Sequence, residues 1–205
     1  MTSSLVTLYV VADPLLLSAL FLGLTHNMSD SERREVAWRG PFIAFVILVA
    51  VGLGGAKLLQ LLGISLSAFR IAGGLLLLWT SWEMVFDRIG PRLQATADMA
   101  VGVDHVKNVA AFPLAIPLIA GPGAITAMIL LAGQTQGQLD LALALFFVAA
   151  LVMLTIFLSF LGAQRISRVL GVTGRAVSTR MLGIILAALA VQFIIDGVME
   201  LAGAS

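Results

Sequence analysis

The chain has 205 residues, of which 60% are hydrophobic and only 11% charged, with a mean hydropathy of +1.07 and a net charge of +1. So little polar surface cannot cover a soluble domain of this length, and the composition therefore predicts an integral membrane protein. The small net charge argues against a nucleic-acid partner. The absence of cysteine excludes disulfides and thiolate ligands, and two histidines cannot build a metal site alone, so no metal or cofactor is expected.

Six apolar stretches are long enough to cross a hydrocarbon core of about 30 Å, for which a helix needs about 20 residues. They predict transmembrane helices at about residues 5–25, 42–62, 67–86, 108–132, 141–162 and 180–201. Between the first two, the Ser29–Glu32 spacing of a capping box predicts a short interfacial helix within Met28–Arg39. The longest polar connection, Ile89–Lys107, divides the chain into a first half at 1–90, a connection at 91–107 and a second half at 108–205.

Two of the predicted spans contain helix-breaking residues near their middle. The first contains Asp13-Pro14, and the fourth contains Gly121-Pro122-Gly123 within Phe112–Thr126, a segment with three prolines. Proline removes a backbone hydrogen bond, and lipid offers no replacement partner, so each break must face protein or a water-filled cavity. Spans one and four are therefore predicted to be broken helices, and their breaks are candidate binding sites.

The two halves of the chain repeat each other at a shift of 108 residues. Gly54–Ser65 then lies over Gly162–Thr173, Asp13-Pro14 lies over Gly121-Pro122, and a two-residue insertion brings Arg70–Gly73 over Arg180–Gly183. Each half has three spans, an odd number, so the second half enters the membrane with reversed polarity. The predicted fold is an all-α membrane protein of six transmembrane helices, arranged as two inverted three-helix repeats with broken helices 1 and 4.

Basic residues predict the orientation. Ten of the twelve lysines and arginines lie in the first, third and fifth connections, and only Lys57 and Arg70 lie on the opposite side. The positive-inside rule places these three connections in the cytoplasm and both termini outside it.

Inverted repeats with proline-interrupted helices at matching positions indicate a secondary transporter whose site lies near the midplane. At each break, the following half-helix offers free N–H groups and the positive end of its dipole to a carboxylate, while unwound carbonyls can bind an ammonium group or a cation. A zwitterion such as a small amino acid suits this arrangement. The predicted substrate-binding residues are Asp13, Pro14, Ser18, Gly121, Pro122, Gly123, Ala124 and Thr126.

Residues predicted to gate or couple transport are Asp13, Arg70, Arg180 and Gln192. Asp13 would cost about 2.5–3.5 kcal/mol if it faced lipid near the middle of the bilayer, which favours binding of a proton or solute; the alternative is a structural cap on the half-helix that follows. Arg70 and Arg180 begin spans three and six, where they either snorkel to the interface or pair with acids. Gln192 and Thr126 either line the path or form hydrogen bonds between helices.

Three stretches together resemble the MarC family of six-span bacterial and archaeal membrane proteins: Phe112–Thr126, Phe69–Gly74 and Ile184–Gly197. The resemblance covers nearly the whole chain and implies a relationship to the LysE-type exporter superfamily. One branch of the family is described as transporting small neutral amino acids together with protons. Where the family usually reads Asp-Pro-x-Gly-Asn-x-Pro, this chain has Leu16, Leu17 and Ala19 in place of the glycine, the asparagine and the second proline, so a more apolar and tighter site is expected.

The expected function is a secondary transporter or exporter of a small solute, most simply a small neutral amino acid with proton coupling, in the cell (inner) membrane. The alternatives are an ion or metal channel or carrier, and a membrane protein without transport activity. A divalent metal path usually needs several acids or histidines at depth, whereas only Asp13 qualifies.

Catalysis is not expected, because the sequence shows no nucleophile–base pair and no Walker-type loop. The expected partners are the solute and the bilayer. Glycines at positions 52, 54 and 55 permit close helix contact within one chain or between two copies, which leaves a homo-oligomer open.

Overall fold

The computed structural model describes residues 2–26, 28–86, 105–135 and 138–203, and every secondary-structure element among them is helical. The elements are α1 (Thr2–Ala12), α2 (Pro14–Leu24), α3 (Asp30–Leu61), α4 (Leu66–Val85), α5 (His105–Val109), α6 (Ala110–Ile119), α7 (Pro122–Gln134), α8 (Leu139–Leu161) and α9 (Ala163–Leu201). The predicted all-helical class is confirmed for these residues. Most of the predicted connection at 91–107 lies outside them.

Four helical stretches in the described part of the chain are long and apolar enough to cross a membrane: Leu5–Leu24, Asp30–Leu61, Leu139–Leu161 and Ala176–Leu201. A fifth span results if α6 and α7, which meet at an angle of 60°, count as one broken span. The third predicted span corresponds to α4, which has 20 residues but contains Arg70 and Glu83 and is not among these candidates. The predicted count of six spans is therefore not confirmed.

The segment predicted as a short interfacial helix is the beginning of α3. Its capping box is present, because the Ser29 N–H donates to Glu32 Oε2 at 2.8 Å and the Glu32 N–H donates to Ser29 Oγ at 3.4 Å. The prediction of a separate short helix is wrong, because one 32-residue helix runs through Gly40 and Pro41. Gly40 packs closely against Leu114 of α6, and this tertiary contact supports a helix that the proline by itself would weaken.

The last polar connection, predicted at Gln164–Thr179, is helical as well. α9 begins at Ala163 and continues to Leu201, with a kink at Gly171, where φ is 61°. With ψ at −173°, this conformation is not helical and is accessible mainly to glycine, so two helical stretches meet at a kink there. The part of α9 that is apolar enough to span a membrane starts only at Ala176.

Packing divides the helices into two groups. The larger core joins α1, α2 and α3 to α6, α7 and α8, with fully buried side chains such as Phe21, Leu114 and Met128. The second group is the pair α4 and α9, which is antiparallel, because Gly74 lies against Ile194 while Gly183 lies against Met84. Glycine at these positions lets the two backbones approach closely.

The outward faces of the helices are apolar. Large side chains such as Phe42 on α3, Phe147 on α8 and Ile184 on α9 are each more than half exposed. Such a surface suits hydrocarbon, where these groups need no burial against protein. A functional site is therefore sought among the buried polar side chains. Of these, Asp13, Ser18 and Thr126 belong to the two interrupted spans.

Candidate functional site

The first predicted span is interrupted at Asp13. α1 ends at Ala12 and α2 begins at Pro14, and Asp13 between them has φ 40° and ψ 75°, in the left-handed region. Pro14 has no N–H to donate to the preceding turn, and aspartate tolerates the left-handed conformation better than most residues. Hydrogen bonds of 3.0 Å from the Asp13 N–H to the Tyr9 carbonyl and from the Leu17 N–H to the Asp13 carbonyl join the two half-helices.

The two carboxylate oxygens of Asp13 have different environments. Its side chain is only 4% exposed, and Oδ1 accepts a hydrogen bond of 3.1 Å from the Leu16 N–H, which caps α2. The predicted capping role is therefore confirmed. Oδ2 is also buried, but it makes no hydrogen bond with any described residue. An unpaired buried carboxylate oxygen is costly, so a proton or a cationic group bound there would be strongly stabilised.

The fourth predicted span is interrupted between α6 and α7. α6 is not regular, because Phe112 (φ −141°, ψ 122°) and Ile116 (φ −124°, ψ 126°) are extended, and the peptide bonds before Pro113 and Pro117 are cis. It ends where the Ala120 N–H donates to the Ala115 carbonyl at 2.8 Å. Gly121 follows, and a Cβ there would lie 2.5 Å from the Pro117 carbonyl oxygen, so no other residue fits this backbone path. The chain then turns by 60° into α7, as the proline and glycine pattern predicts.

The two breaks lie side by side. A Cβ added to Gly123, in the first turn of α7, would lie 3.2 Å from Cγ1 of Val11, two residues before Asp13. On its other side it would lie 2.2 Å from Cδ2 of Leu77 on α4. The first turn of α7 is therefore held between α1 and α4, and the packing that brings the breaks together depends on the missing side chain of Gly123.

The other predicted substrate-binding residues surround this junction to different degrees. Pro14, Ser18, Ala124 and Thr126 are buried, whereas Gly121 is partly exposed and Pro122 is exposed. The Ser18 hydroxyl donates to the Leu15 carbonyl at 2.7 Å within its own helix. The methyl group of Thr126 packs against Gly73 of α4 so tightly that a Cβ at Gly73 could not be accommodated.

Of the predicted gating residues, Asp13 lies at the first break, and the other three belong to α4 and α9. Nη1 of Arg70 is 3.0 Å from Oε1 of Glu200, an ion pair that joins the start of α4 to the end of α9. Arg70 thus pairs with an acid, which is one of the two arrangements predicted for it. Arg180 is exposed, and Gln192 is also exposed, donating from Nε2 to Oδ1 of Asp196 at 2.6 Å one turn further along α9.

Leu16 and Leu17 follow the first break, where the family usually has glycine and asparagine. Both are packed against the interior of the protein. Leu17 is 2% exposed and belongs to the larger core, and Leu16 packs against the cluster of α4 and α9 side chains that contains Leu77. The surroundings of Asp13 are accordingly apolar, as the departure from the family pattern predicts.

Leu77 and Val11 are contacts that the sequence analysis did not identify. Leu77 lies in a run of four leucines, 75–78, and nothing in the run itself separates it from Leu76, which is 49% exposed where Leu77 is 1% exposed. The available signal is helical spacing, because Gly74, Leu77, Ser81 and Met84 are all buried and recur every three or four residues.

The fold and the site define a helical integral membrane protein with two interrupted spans whose breaks meet in its interior. Residues 1–202 of the chain match the family described as 'MarC family integral membrane protein'. It is 39% identical over 198 residues to a UPF0056 membrane protein of Archaeoglobus fulgidus, covering 97% of this chain and 92% of that one. The UPF0056 inner membrane protein MarC of Salmonella typhimurium is 33% identical over 209 residues, covering 96% and 93%. No solved structure matches.

The chain therefore belongs to the MarC family, as its resemblance implied. The Salmonella relative is named as an inner membrane protein. This agrees with the inner-membrane location predicted for this chain.

Proposed function

We propose that this protein is a secondary transporter or exporter of a small neutral amino acid, coupled to protons, with its binding site between the two breaks. The observation that carries the proposal is Oδ2 of Asp13, a buried carboxylate oxygen that makes no hydrogen bond with the described residues. Asp13 follows two residues after Val11, which lies against Gly123 at the break in span four. A proton on Oδ2, or the ammonium group of a solute, would supply its missing partner.

The carboxylate of a zwitterion would fit the N-terminus of α7. The N-terminus of α2 is capped by the Asp13 side chain, whereas α7 begins at Pro122 after Gly121 and has no side-chain cap. The amides of Gly123 and Ala124 in its first turn have no acceptor within the helix and carry the positive end of its dipole. A carboxylate bound there and an ammonium group bound at Asp13 would place an amino acid across the junction of the breaks.

The architecture that we propose for this transporter is the pair of inverted repeats, with both termini outside the cytoplasm. The antiparallel contact of α4 with α9 supports it, because a two-fold axis in the membrane plane would relate these helices and run them in opposite directions. The adjacent breaks of spans one and four support the same axis. The proposed function requires that the two halves move relative to each other around the junction.

Flux of radiolabelled small neutral amino acids into proteoliposomes, with and without a proton gradient, tests the proposal. Asp13→Asn keeps an oxygen that can cap α2 but removes the charge and the titrating group, so the protein should fold while proton-driven flux is lost. Asp140→Asn is the matched control, because Asp140 is exposed in the first turn of α8, beyond the end of α7 that lies opposite the break.

Flux is compared only between protein preparations that are monodisperse in detergent. Wild-type flux in well-folded Asp13→Asn protein would remove Asp13 from the site. Wild-type protein that moves none of these amino acids would refute the proposed substrate class, and selective flux of an inorganic cation would favour the channel or carrier alternative.

A further inference from the structure

A polar cavity lies apart from the breaks, at the end of the first span. Its volume is about 170 Å³, and it opens between the end of α2, the beginning of α3 and the end of α8. Its apolar floor is formed by Phe21 and Phe160, whose rings stack with centroids 4.4 Å apart and planes inclined by 6°. Because α2 ends at Leu24 and α8 ends at Leu161, the cavity lies where two spans leave the hydrocarbon, which is the level of lipid headgroups.

Arg33 is fixed in the wall of this cavity by two of its five N–H donors. Its Nη2 donates to the Thr25 carbonyl at 3.2 Å, and its Nη1 lies 3.5 Å from Oδ1 of Asp30. Its Nε is buried and makes no hydrogen bond with a described residue. The guanidinium group is therefore held in place by two partners, while the Arg33 side chain stays 21% exposed and its Nε–H has no acceptor among the described residues.

Two further donors line the same cavity. Arg34 is exposed and forms no ion pair with the described residues, and Gln164 adds a side-chain amide. The carboxylate on the rim belongs to Asp30, which is fully exposed, so water screens it more effectively than it screens the buried part of Arg33. The cavity is therefore positive overall and offers several N–H donors.

These features fit a phosphate group. Arginine matches phosphate oxygens with a planar set of N–H donors, and such charge-assisted hydrogen bonds are stronger than neutral ones. The volume suffices, because an engineered cavity of about 150 Å³ holds benzene, which is larger than a phosphate group. We propose that this cavity binds an anionic phosphate group at the membrane surface, supplied by a lipid headgroup or by free phosphate.

Thermal unfolding of the purified full-length protein in detergent tests the proposal. Inorganic phosphate and short-chain phosphatidylglycerol are titrated separately, with chloride at matched ionic strength as the reference. A ligand that binds the folded state raises the unfolding temperature with a saturable dependence on its concentration. Saturation by phosphatidylglycerol alone identifies a lipid site, saturation by inorganic phosphate alone identifies a site for the free anion, and saturation by both identifies the phosphate group as the shared determinant. Saturation by neither overturns the proposal.

The variants separate this cavity from general surface charge. Arg34→Gln should weaken the apparent affinity about tenfold, because it removes one charge-assisted contact, and the exposed position leaves the core intact. Arg33→Lys keeps the charge but removes the buried Nε–H, and Leu161→Trp narrows the mouth without changing any charge; both should weaken binding too.

Arg39→Gln is the matched control on the same helix. Arg39 pairs with Glu35 at 2.6 Å and does not line the cavity, so its loss should leave the affinity unchanged. An equal loss of affinity in Arg39→Gln and Arg34→Gln would show a diffuse charge effect and overturn the proposed site. Unchanged affinity in both Arg34→Gln and Leu161→Trp would overturn it as well.

Discussion

A methyl group added at Gly123 should destabilise the protein by forcing the two breaks apart. The ideal Cβ position lies 2.2 Å from Cδ2 of Leu77, so one of the two groups must move by about 1.3 Å to reach the shortest comfortable carbon contact of ~3.5 Å. Leu77 is only 1% exposed, and Val11 lies on the other side of the added methyl group at 3.2 Å. The clashing atom is the end of a side chain, so the clash is relieved by displacing buried Leu77 from its present contacts.

The expected cost follows from these contacts. Overpacking of this kind costs about 1–3 kcal/mol, and the better helix propensity of alanine returns up to about 1 kcal/mol. Gly123→Ala should therefore lower the free energy of unfolding by roughly 1–2 kcal/mol. Gly54→Ala on α3 is the control, because nothing lies within 4 Å of a Cβ there, and it should cause no loss.

A double-mutant cycle identifies Leu77 as the source of the cost. Leu77→Ala leaves a cavity and should cost about 2–5 kcal/mol, but the new methyl group at position 123 then has room. The double variant should be no less stable than Leu77→Ala, which corresponds to a coupling of about 1–3 kcal/mol. Equilibrium unfolding in mixed micelles, followed by helical circular dichroism, measures all four proteins. Strictly additive losses, or a neutral Gly123→Ala, would refute the contact between α4 and the first turn of α7.

Three other predictions concern the capping residue, the ion pair and the orientation. Asp13→Ala should unfold more easily than Asp13→Asn by about 1–2 kcal/mol, because only asparagine keeps a cap and tolerates the left-handed backbone; equal stabilities would contradict the cap. Arg70→Gln should cost less than about 1 kcal/mol, since its pair with Glu200 is partly exposed, yet it should change the transport rate in proteoliposomes if the pair gates; an unchanged rate would remove it from gating. In this cysteine-free chain, Ser3→Cys should react with an impermeant thiol reagent in intact cells and Asp98→Cys should not; the reverse pattern would invert the proposed orientation.

The clearest error of the sequence analysis is the boundary of α3. The short helix expected within Met28–Arg39 and the span expected at 42–62 belong to one helix, which runs through Pro41. At Pro41 the helix is supported by packing of the neighbouring Gly40 against Leu114, more than 70 residues away in sequence, and no local pattern records such a contact. The basic connection expected at 164–179 contains Gly171, where the dihedrals are not helical and two helical stretches meet at a kink; hydropathy does not distinguish such a kink from a loop.

The sequence by itself determined the class of protein, the positions of most apolar spans and the two breaks. These are local properties: apolarity over about 20 residues is what a bilayer requires, and a proline lacks its N–H whatever surrounds it. Only the tertiary structure decided that Leu77 and Val11 enclose Gly123, that Arg70 pairs with Glu200, and that Arg33 keeps a buried donor in a cavity beside Phe160. Each of these contacts joins residues on different helices, so it depends on how the helices cross and on their rotation about their own axes. Successive residues of a helix are about 100° apart. A rotation of α4 by that angle would replace Leu77 by its exposed neighbour Leu76.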